Sequence, residues 1–586
     1  MNKRIFLTVL AFSMFAITSA YAQTYNEQID ITAPYQPSVN DANKINTEPE
    51  KYKIKIDKTT PEYNYESFKY SSFLKMPAKL ELLQPVNYDA TAKKHILSAI
   101  VGFGTNLEPL VDINVNSVQK KKIWGGFSLY HNSAWRQMKN VPNNTMSSTK
   151  VTGYGDFLIG KQLLAPSISY TREGFHYYGV DPSLASTYDF DALTDDSIHQ
   201  TVDMIDAEIA LFNAQRGQSN YNVSLQYSYL QDKYSDREHI ISLPANFNRN
   251  MKWLDNDLLD INFQMQFVST NALTSNNFLT SLSPVYMFTT GAFDFNIGGD
   301  FALYTQNGNS SKETKFKAHP IFQVKANIIP QTFNIHIGVN GSSNRNTFKQ
   351  LFNTNHYIAT PHVISRQANS SINNDYLAKV TDTKFNIYAG FDSKICKFVN
   401  FSANAKYIII ENLPLYTSNI FKQYAGSAAS TLSLNEFVIQ YVNLNELALS
   451  ADVTVDTKKN LLFNLHGSYY SAKIKEGSSA TQLYNLPLFE VFADARYKLL
   501  NDKLTLGLEA FCLGSRVDKD VFGLSGGLVT LKPLYNMNLS ADYSINDVIS
   551  VWLNINNMLH FNNKAQLWYC YPIYPINAMV GITLSM

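Results

Sequence analysis

Cysteine is scarce. The 586 residues hold three, Cys396, Cys512 and Cys570, an odd number without CxxC spacing. That argues against a disulfide framework and leaves packing as the ordinary role of each. Tryptophan is rarer than its aromatic partners, with 5 residues against 36 Tyr and 36 Phe. No charge of one sign dominates: the formal net charge is +1, so nothing favours nucleic acid. After the N-terminus, no stretch holds the roughly 20 unbroken apolar residues of a membrane helix. HExxH, P-loop and EF-hand patterns are absent. Gly523-Leu524-Ser525-Gly526-Gly527 matches the letters of a nucleophile elbow. That elbow must open a helix, whereas Leu528-Val529-Thr530 leads into a strand. The chain is therefore read as no enzyme, with no catalytic, metal or cofactor site.

What the sequence does contain begins with an export signal. Lys3-Arg4 precede an apolar run from Ile5 to Ile17, and Ala20-Tyr21-Ala22 forms a small-x-small cleavage site before Gln23. This predicts a signal peptide over 1–22. A polar, proline-punctuated segment, 23–94, follows; it is expected to lie in the periplasm or the lumen as a reduced plug-like region rather than to fold alone.

From about residue 95 to the end, apolar and polar residues alternate with period two. In Tyr535-Asn536-Met537-Asn538-Leu539-Ser540-Ala541-Asp542-Tyr543 every odd position is apolar and every even one polar. Strand side chains point to opposite faces in turn, so such a segment has one apolar and one wet face. Alternation and turn signals together predict 22 strands: 95–105, 107–117, 122–132, 150–160, 163–173, 201–212, 219–231, 237–249, 257–269, 278–289, 291–304, 314–327, 330–342, 381–394, 397–411, 438–455, 459–472, 485–499, 503–514, 530–543, 548–559 and 575–586. Pro244 makes 237–249 the least regular, but without that strand long and short connections no longer alternate. Long loops are expected near 133–149, 174–200, 343–380, 412–437, 515–529 and 560–574. If both termini are periplasmic, each follows an odd-numbered strand.

The fold class expected is all-β: an antiparallel transmembrane β-barrel over 95–586, with an even strand number of about 22. A polar backbone edge is not tolerated in lipid, so the sheet must close. The wet faces supply candidate lumen-lining residues: Asn262, Gln264 and Gln266; Asn334, His336 and Asn340; His466; Asn536, Asn538 and Asp542. Trp568, Tyr569, Tyr571 and Tyr574 fall in the last extracellular loop. Two roles stay open for them, stacking on a sugar or hydrophobic ligand and an interfacial girdle.

From Leu531 to Met586 the chain resembles the end of TonB-dependent receptors, through Asn536–Tyr543, the element Asn554-Ile555-Asn556-Asn557-Met558-Leu559, and the aromatic loop Trp568-Tyr569-Cys570-Tyr571-Pro572. Pro34-Tyr35-Gln36-Pro37-Ser38-Val39, Gly102-Phe103-Gly104-Thr105-Asn106-Leu107 and His176-Tyr177-Tyr178-Gly179-Val180-Asp181 resemble a narrower group, the plug-poor receptor-like barrels of gut-type Gram-negative anaerobes. The resemblance implies an outer-membrane barrel that passes a small-molecule solute and is inserted by the barrel-assembly machinery. Glu27, Ile29 and Ile31 loosely match a TonB box, which would make TonB or another periplasmic protein a partner. The departure is at the front: about 70 residues precede the first strand, fewer than a receptor plug needs. A scaffold barrel that docks a partner without transport is the alternative.

Overall fold

In the computed structural model residues 96–586 are described, except 118–121, 181–197, 215–216, 255, 272–274, 308–311, 361–378, 426–430, 458–459, 476–477, 479, 524–526 and 561–565. The expected signal peptide over 1–22, the segment 23–94 with Glu27, Ile29 and Ile31, and Ser525 lie outside the described residues.

The alternating segments pair into one sheet. Its strands are β1 (Leu97–Gly104), β2 (Glu108–Asn116), β3 (Ile123–Ala134), β4 (Met146–Ile159), β5 (Gln162–His176), β6 (His199–Asn213), β7 (Ser219–Asp232), β8 (Arg237–Arg249), β9 (Leu258–Thr270), β10 (Ser275–Thr290), β11 (Phe293–Asn307), β12 (Lys312–Ile329), β13 (Phe333–Arg345), β14 (Val380–Cys396), β15 (Val399–Ala425), β16 (Thr431–Asp456), β17 (Leu461–Ile474), β18 (Phe489–Leu499) and β19 (Leu504–Leu513). Beyond the two-stranded hairpin of β20 (Arg516–Lys519) and β21 (Leu528–Leu531), the sheet continues with β22 (Leu534–Ser544) and β23 (Ile549–Asn556). A second small hairpin, β24 (Gln566–Trp568) with β25 (Tyr571–Pro572), precedes the last strand, β26 (Asn577–Ser585). Among the described residues one helix, α1 (Phe348–Thr354), lies between β13 and β14.

The sheet has 22 strands, each antiparallel to its neighbours, and it closes because β26 pairs with β1 from Ser98↔Ser585 to Gly104↔Met579. The last residue completes the seam, with Met586 N–H donating to the Leu97 carbonyl at 2.8 Å. The strand at 237–249 is present with the expected bounds, and Pro244 sits in register with Gln264. Tight turns at one end suit their residues: Asn501 and Asp502 take positive φ of 56° and 65°, which Asn and Asp tolerate better than most residues.

One expected loop is not a loop. The region 412–437 is mostly strand, because β15 and β16 run for 27 and 26 residues and pair as far as Ala425↔Thr431. Three of the other long connections carry elements of their own: α1 within 343–380, β20–β21 across 516–531 and β24–β25 within 560–574.

Alternation gives the barrel two walls. Ile335 and Ile337 on β13, Leu225 on β7, Ile297 on β11 and Val580 on β26 are exposed on the outer wall. A closed sheet ringed by such side chains presents a surface that lipid covers and water does not.

Candidate functional site

Two features of the interior carry chemistry: the inward wall and a core that lies over the strand tops.

The inward wall holds the polar set. Asn262 and Gln264 are exposed toward the interior and Gln266 is half-buried. His336 on β13 is within 2.7 Å of the Asn404 carboxamide oxygen, and Asn340 accepts a hydrogen bond from Asn386 at 3.1 Å. Asn334 is half-buried on the same face as His336. His466 sits between Asp452 at 2.6 Å and the Ser468 hydroxyl at 2.8 Å. Near the seam, Asn536 donates to Asn557 at 2.7 Å, Asn538 accepts from the Asn557 N–H at 3.0 Å, and Asp542 faces Ser550. The sequence-derived candidates thus share one face but not one site; they are spread around the ring.

The second feature was not read from the sequence. Apolar side chains at the strand tops and in the connections above them form one buried cluster. Its members include Phe175 on β5, Val202 and Met204 on β6, Leu230 on β7, Phe437 and Tyr441 on β16, Leu513 on β19 and Leu534 on β22. In a ring of 22, β5 and β16 stand eleven places apart, on opposite sides of the opening. A cluster joining them crosses the mouth. It forms a roof.

The segment 346–360 is the beam of that roof. Thr347 caps α1 in a reciprocal box with Gln350, its hydroxyl accepting the Gln350 N–H at 3.1 Å. The next free amides of the helix start, Phe348 N–H and Lys349 N–H, donate to the buried Glu238 carboxylate on β8 at 2.7 and 2.9 Å. Lys349 Nζ donates to the Ser228 hydroxyl at 2.7 Å and pairs with Asp206, while His356 meets Glu173 at 2.8 Å. These contacts tie the segment to β5–β8. On the far side Tyr416 of β15 donates to the Leu351 carbonyl at 3.0 Å. Ile358 makes a parallel bridge to Phe437, with the Ala359 N–H donating to the Phe437 carbonyl at 2.8 Å and the Phe437 N–H to the Tyr357 carbonyl at 2.9 Å.

A tyrosine cluster locks the beam to the loops. Tyr357 stacks on Tyr571 with ring centroids 3.7 Å apart, and Tyr178 meets the edge of Tyr571 at 5.0 Å. Tyr177 donates to the Ile358 carbonyl at 3.0 Å, Tyr178 to the Pro572 carbonyl at 3.1 Å and Tyr571 to the Asn435 carbonyl at 2.5 Å. Burial drives the phenol pKa of Tyr177, Tyr178, Tyr357 and Tyr571 well above the ordinary value, so all four remain proton donors. The hairpin β20–β21 is held by Asp518, which accepts from the Ser418 hydroxyl at 2.8 Å, the Ser418 N–H at 3.1 Å and Asn485 at 2.8 Å.

The structure places Trp568, Tyr571 and Tyr574 inside this roof and Tyr569 in a smaller cluster with Leu531 and Cys570. Tyr571 is 0% exposed and Trp568, Tyr569 and Tyr574 are also buried, with Tyr574 donating to the Asn144 carbonyl at 2.9 Å. Loop packing takes up all four rings. Of the cysteines, Cys570 is buried in the loop, Cys512 is half-buried and Cys396 is exposed, which departs from packing as a shared role. A signal for the roof was present in the sequence: Phe437-Val438-Ile439 breaks the alternation, and a strand apolar on both faces must be covered on both.

Comparison with known proteins agrees with this architecture. No family model and no curated protein sequence matches the chain. Solved structures do match. The ferric-catecholate import receptor Fiu from Escherichia coli K12 is 12% identical, with a TM-score of 0.61 over 84% of this chain and 82% of that one. The FrpB iron transporter from Neisseria meningitidis is 13% identical, with a TM-score of 0.62 over 85% and 82%. The pyoverdine outer membrane receptor FpvA from Pseudomonas aeruginosa PAO1 is 12% identical, with a TM-score of 0.62 over 84% and 79%. At such identities the likeness is one of fold, and the fold of this chain is the 22-stranded barrel of TonB-dependent siderophore receptors.

Proposed function

We propose that this chain is an outer-membrane barrel that passes a polar solute inward when its roof opens. The observation that carries the reading is the contrast between a dry roof and a wet wall beneath it. Amides buried in a solid core without partners cost about 1–3 kcal/mol each. Asn222, Asn262 and Gln264 instead stand exposed on the inward face, which suits a hydrated path. A roof packed like a domain core does not part for free, so passage needs an energy source or a ligand that binds the open form better. The segment holding Glu27, Ile29 and Ile31 is the proposed coupling strand for TonB or another periplasmic protein, exposed once the signal peptide is removed.

Replacing 348–376 by a short Gly/Ser linker tests the reading. In planar bilayers the full-length barrel is expected to be nearly silent and the roof-shortened variant to conduct. A silent roof-shortened variant that still migrates as a folded barrel would sink the proposal. The completeness of the roof also suits the second reading, a sealed scaffold. That reading predicts silence from both proteins and a co-purifying partner lost when residues 26–46 are removed.

A further inference from the structure

The inward wall is not chemically uniform. Across β10–β14 it is ionic, with His319 between Asp300 at 3.2 Å and Asp382 at 2.8 Å, and Lys317 on Asp382 at 2.9 Å. Those charges satisfy one another. On β7–β9 the same wall carries amides with a single carboxylate among them in its lower half, and no Lys or Arg lies on the inward face of these three strands.

The amides form a wired row. Asn220 donates to Asn248 at 3.1 Å, and Asn248 donates to Asn246 at 3.1 Å. Asn246 donates to both Asn262 and Asp260 at 2.7 Å, and Asn262 returns a bond to Asp260 at 2.8 Å. Such a chain fixes each carboxamide's orientation before any ligand arrives. Beside it, the exposed Asn222 and Gln264 side chains have no hydrogen-bond partner among the described residues. Register sets the order: Phe212 on β6 lies opposite Asn222, Asn222 opposite Asn246, and Asn246 opposite Asn262. Neighbouring strands stand about 4.8 Å apart, so the row repeats donors and acceptors at that interval with one aromatic ring at its end.

We infer that this row is a binding face for a neutral, polyhydroxylated solute of the oligosaccharide class. Hydroxyls on successive sugar rings both donate and accept, and a carboxamide answers both with one group. A phenyl ring such as Phe212 matches the apolar face of a terminal sugar. An anionic chelate finds no cation here and meets Asp260. An extended peptide would seek apolar side-chain contacts, whereas the lower inward face of β7–β9 is chiefly Asn, Gln and Ser, with Pro244 and Leu258 its apolar members. The inference rests on the passage reading, because only an open lumen brings solute to this wall.

The test uses maltohexaose as the probe, titrated calorimetrically into full-length and roof-shortened protein in detergent. Binding is expected to the roof-shortened form, weakened at least tenfold by Asn222→Ala with Asn262→Ala and several-fold by Phe212→Ala. Liposome swelling separates the two claims. If the roof-shortened barrel admits charged hexapeptides and maltohexaose at equal rates, and the double variant binds as the parent does, passage stands and the solute class falls. If neither solute enters and no current flows, the passage reading itself has failed. Preferential binding of an uncharged hexapeptide would reassign the face to peptides and overturn the inference.

Discussion

The barrel's shortest and tallest walls solve different problems. At the seam, β23, β26, β1 and β2 have only 8 or 9 residues each, and β1 meets β26 through seven residue pairs. Elsewhere β15 and β16 meet through 23 pairs and rise well past the bilayer. The seam has few backbone bonds to spare, so it is stitched by side chains. Trp552 lies on its inner face against Leu110 and Met579. It covers Gly102 and Gly581, which are partners in register, and a Cβ on either would fall inside the indole. Above them Thr105 donates to Asn577 at 2.7 Å, and Asn577 donates to Glu108. The tall wall has backbone bonds in excess, and its upper inward residues are released to hold the roof. A short wall closes the barrel; a tall one closes its mouth.

The largest effect should come from breaking the seam. Gly581→Ala and Gly102→Ala each drive a methyl into Trp552, and overpacking costs about 1–3 kcal/mol where nothing can yield. Both are expected to lower the yield of heat-modifiable barrel on semi-native gels. Adding Trp552→Ala should restore Gly102→Ala but not Gly581→Ala, because the Gly581 methyl also meets the Val101 carbonyl. Equal rescue of both would show that the indole is not the obstacle.

Second in effect on barrel assembly, though larger in local energy, is the tall side. Tyr571→Ala removes the ring that Tyr357 stacks on, and truncating a buried aromatic costs about 3–5 kcal/mol. The barrel should assemble normally while amides of 354–360 exchange much faster and current appears in bilayers. An unchanged exchange pattern would separate the tyrosine cluster from the roof. Glu238→Gln is a smaller version of the same test. It keeps one acceptor oxygen and turns the other into an NH2 that faces a backbone N–H, so one of the two bonds to the α1 start is lost, at about 1–3 kcal/mol. Exchange should rise in 347–352 and stay constant at the seam.

The smallest effect is a pH dependence at Asp518. Burial pushes this carboxyl above its ordinary range, opposed by its hydrogen bonds to Asn485 and Ser418. The docked hairpin therefore binds a proton that an undocked hairpin, titrating near pH 4, would release. Docking should strengthen as pH falls toward the ordinary carboxyl value and level off below about 4. Exchange of the 514–533 amides, corrected for intrinsic rates, reports this, and Asp518→Asn should abolish it. The seam, which has no part in that hairpin, should show no parallel change in the same experiment.

Much of the architecture was legible because a barrel wall obeys a local rule. Each residue of 237–249 declares its face by its neighbours, even with Pro244 among them, and parity of the connections recovers the strand the proline obscures. The inward places of Asn262, His336 and Asp542 follow from the same period. The rule fails at the strand tops. Phe437-Val438-Ile439 shows only that both faces are covered, and Trp568 and Tyr571 show only that aromatics occupy a loop. Their partners, Tyr416, Tyr357 and Tyr178, lie up to hundreds of positions away in the chain. Nothing local encodes such a meeting.

By itself, then, the sequence determined a closed antiparallel sheet, its even strand number, its apolar exterior and its wet interior, since each follows from the two-residue period and the bar on unpaired backbone in lipid. Only the tertiary structure decided that β15 and β16 stand tall where a loop was expected, that α1 is pinned across the mouth by Glu238 and Lys349, and that the loop aromatics form a roof. Those outcomes depend on which strands face each other across the ring, and closure of the ring sets that.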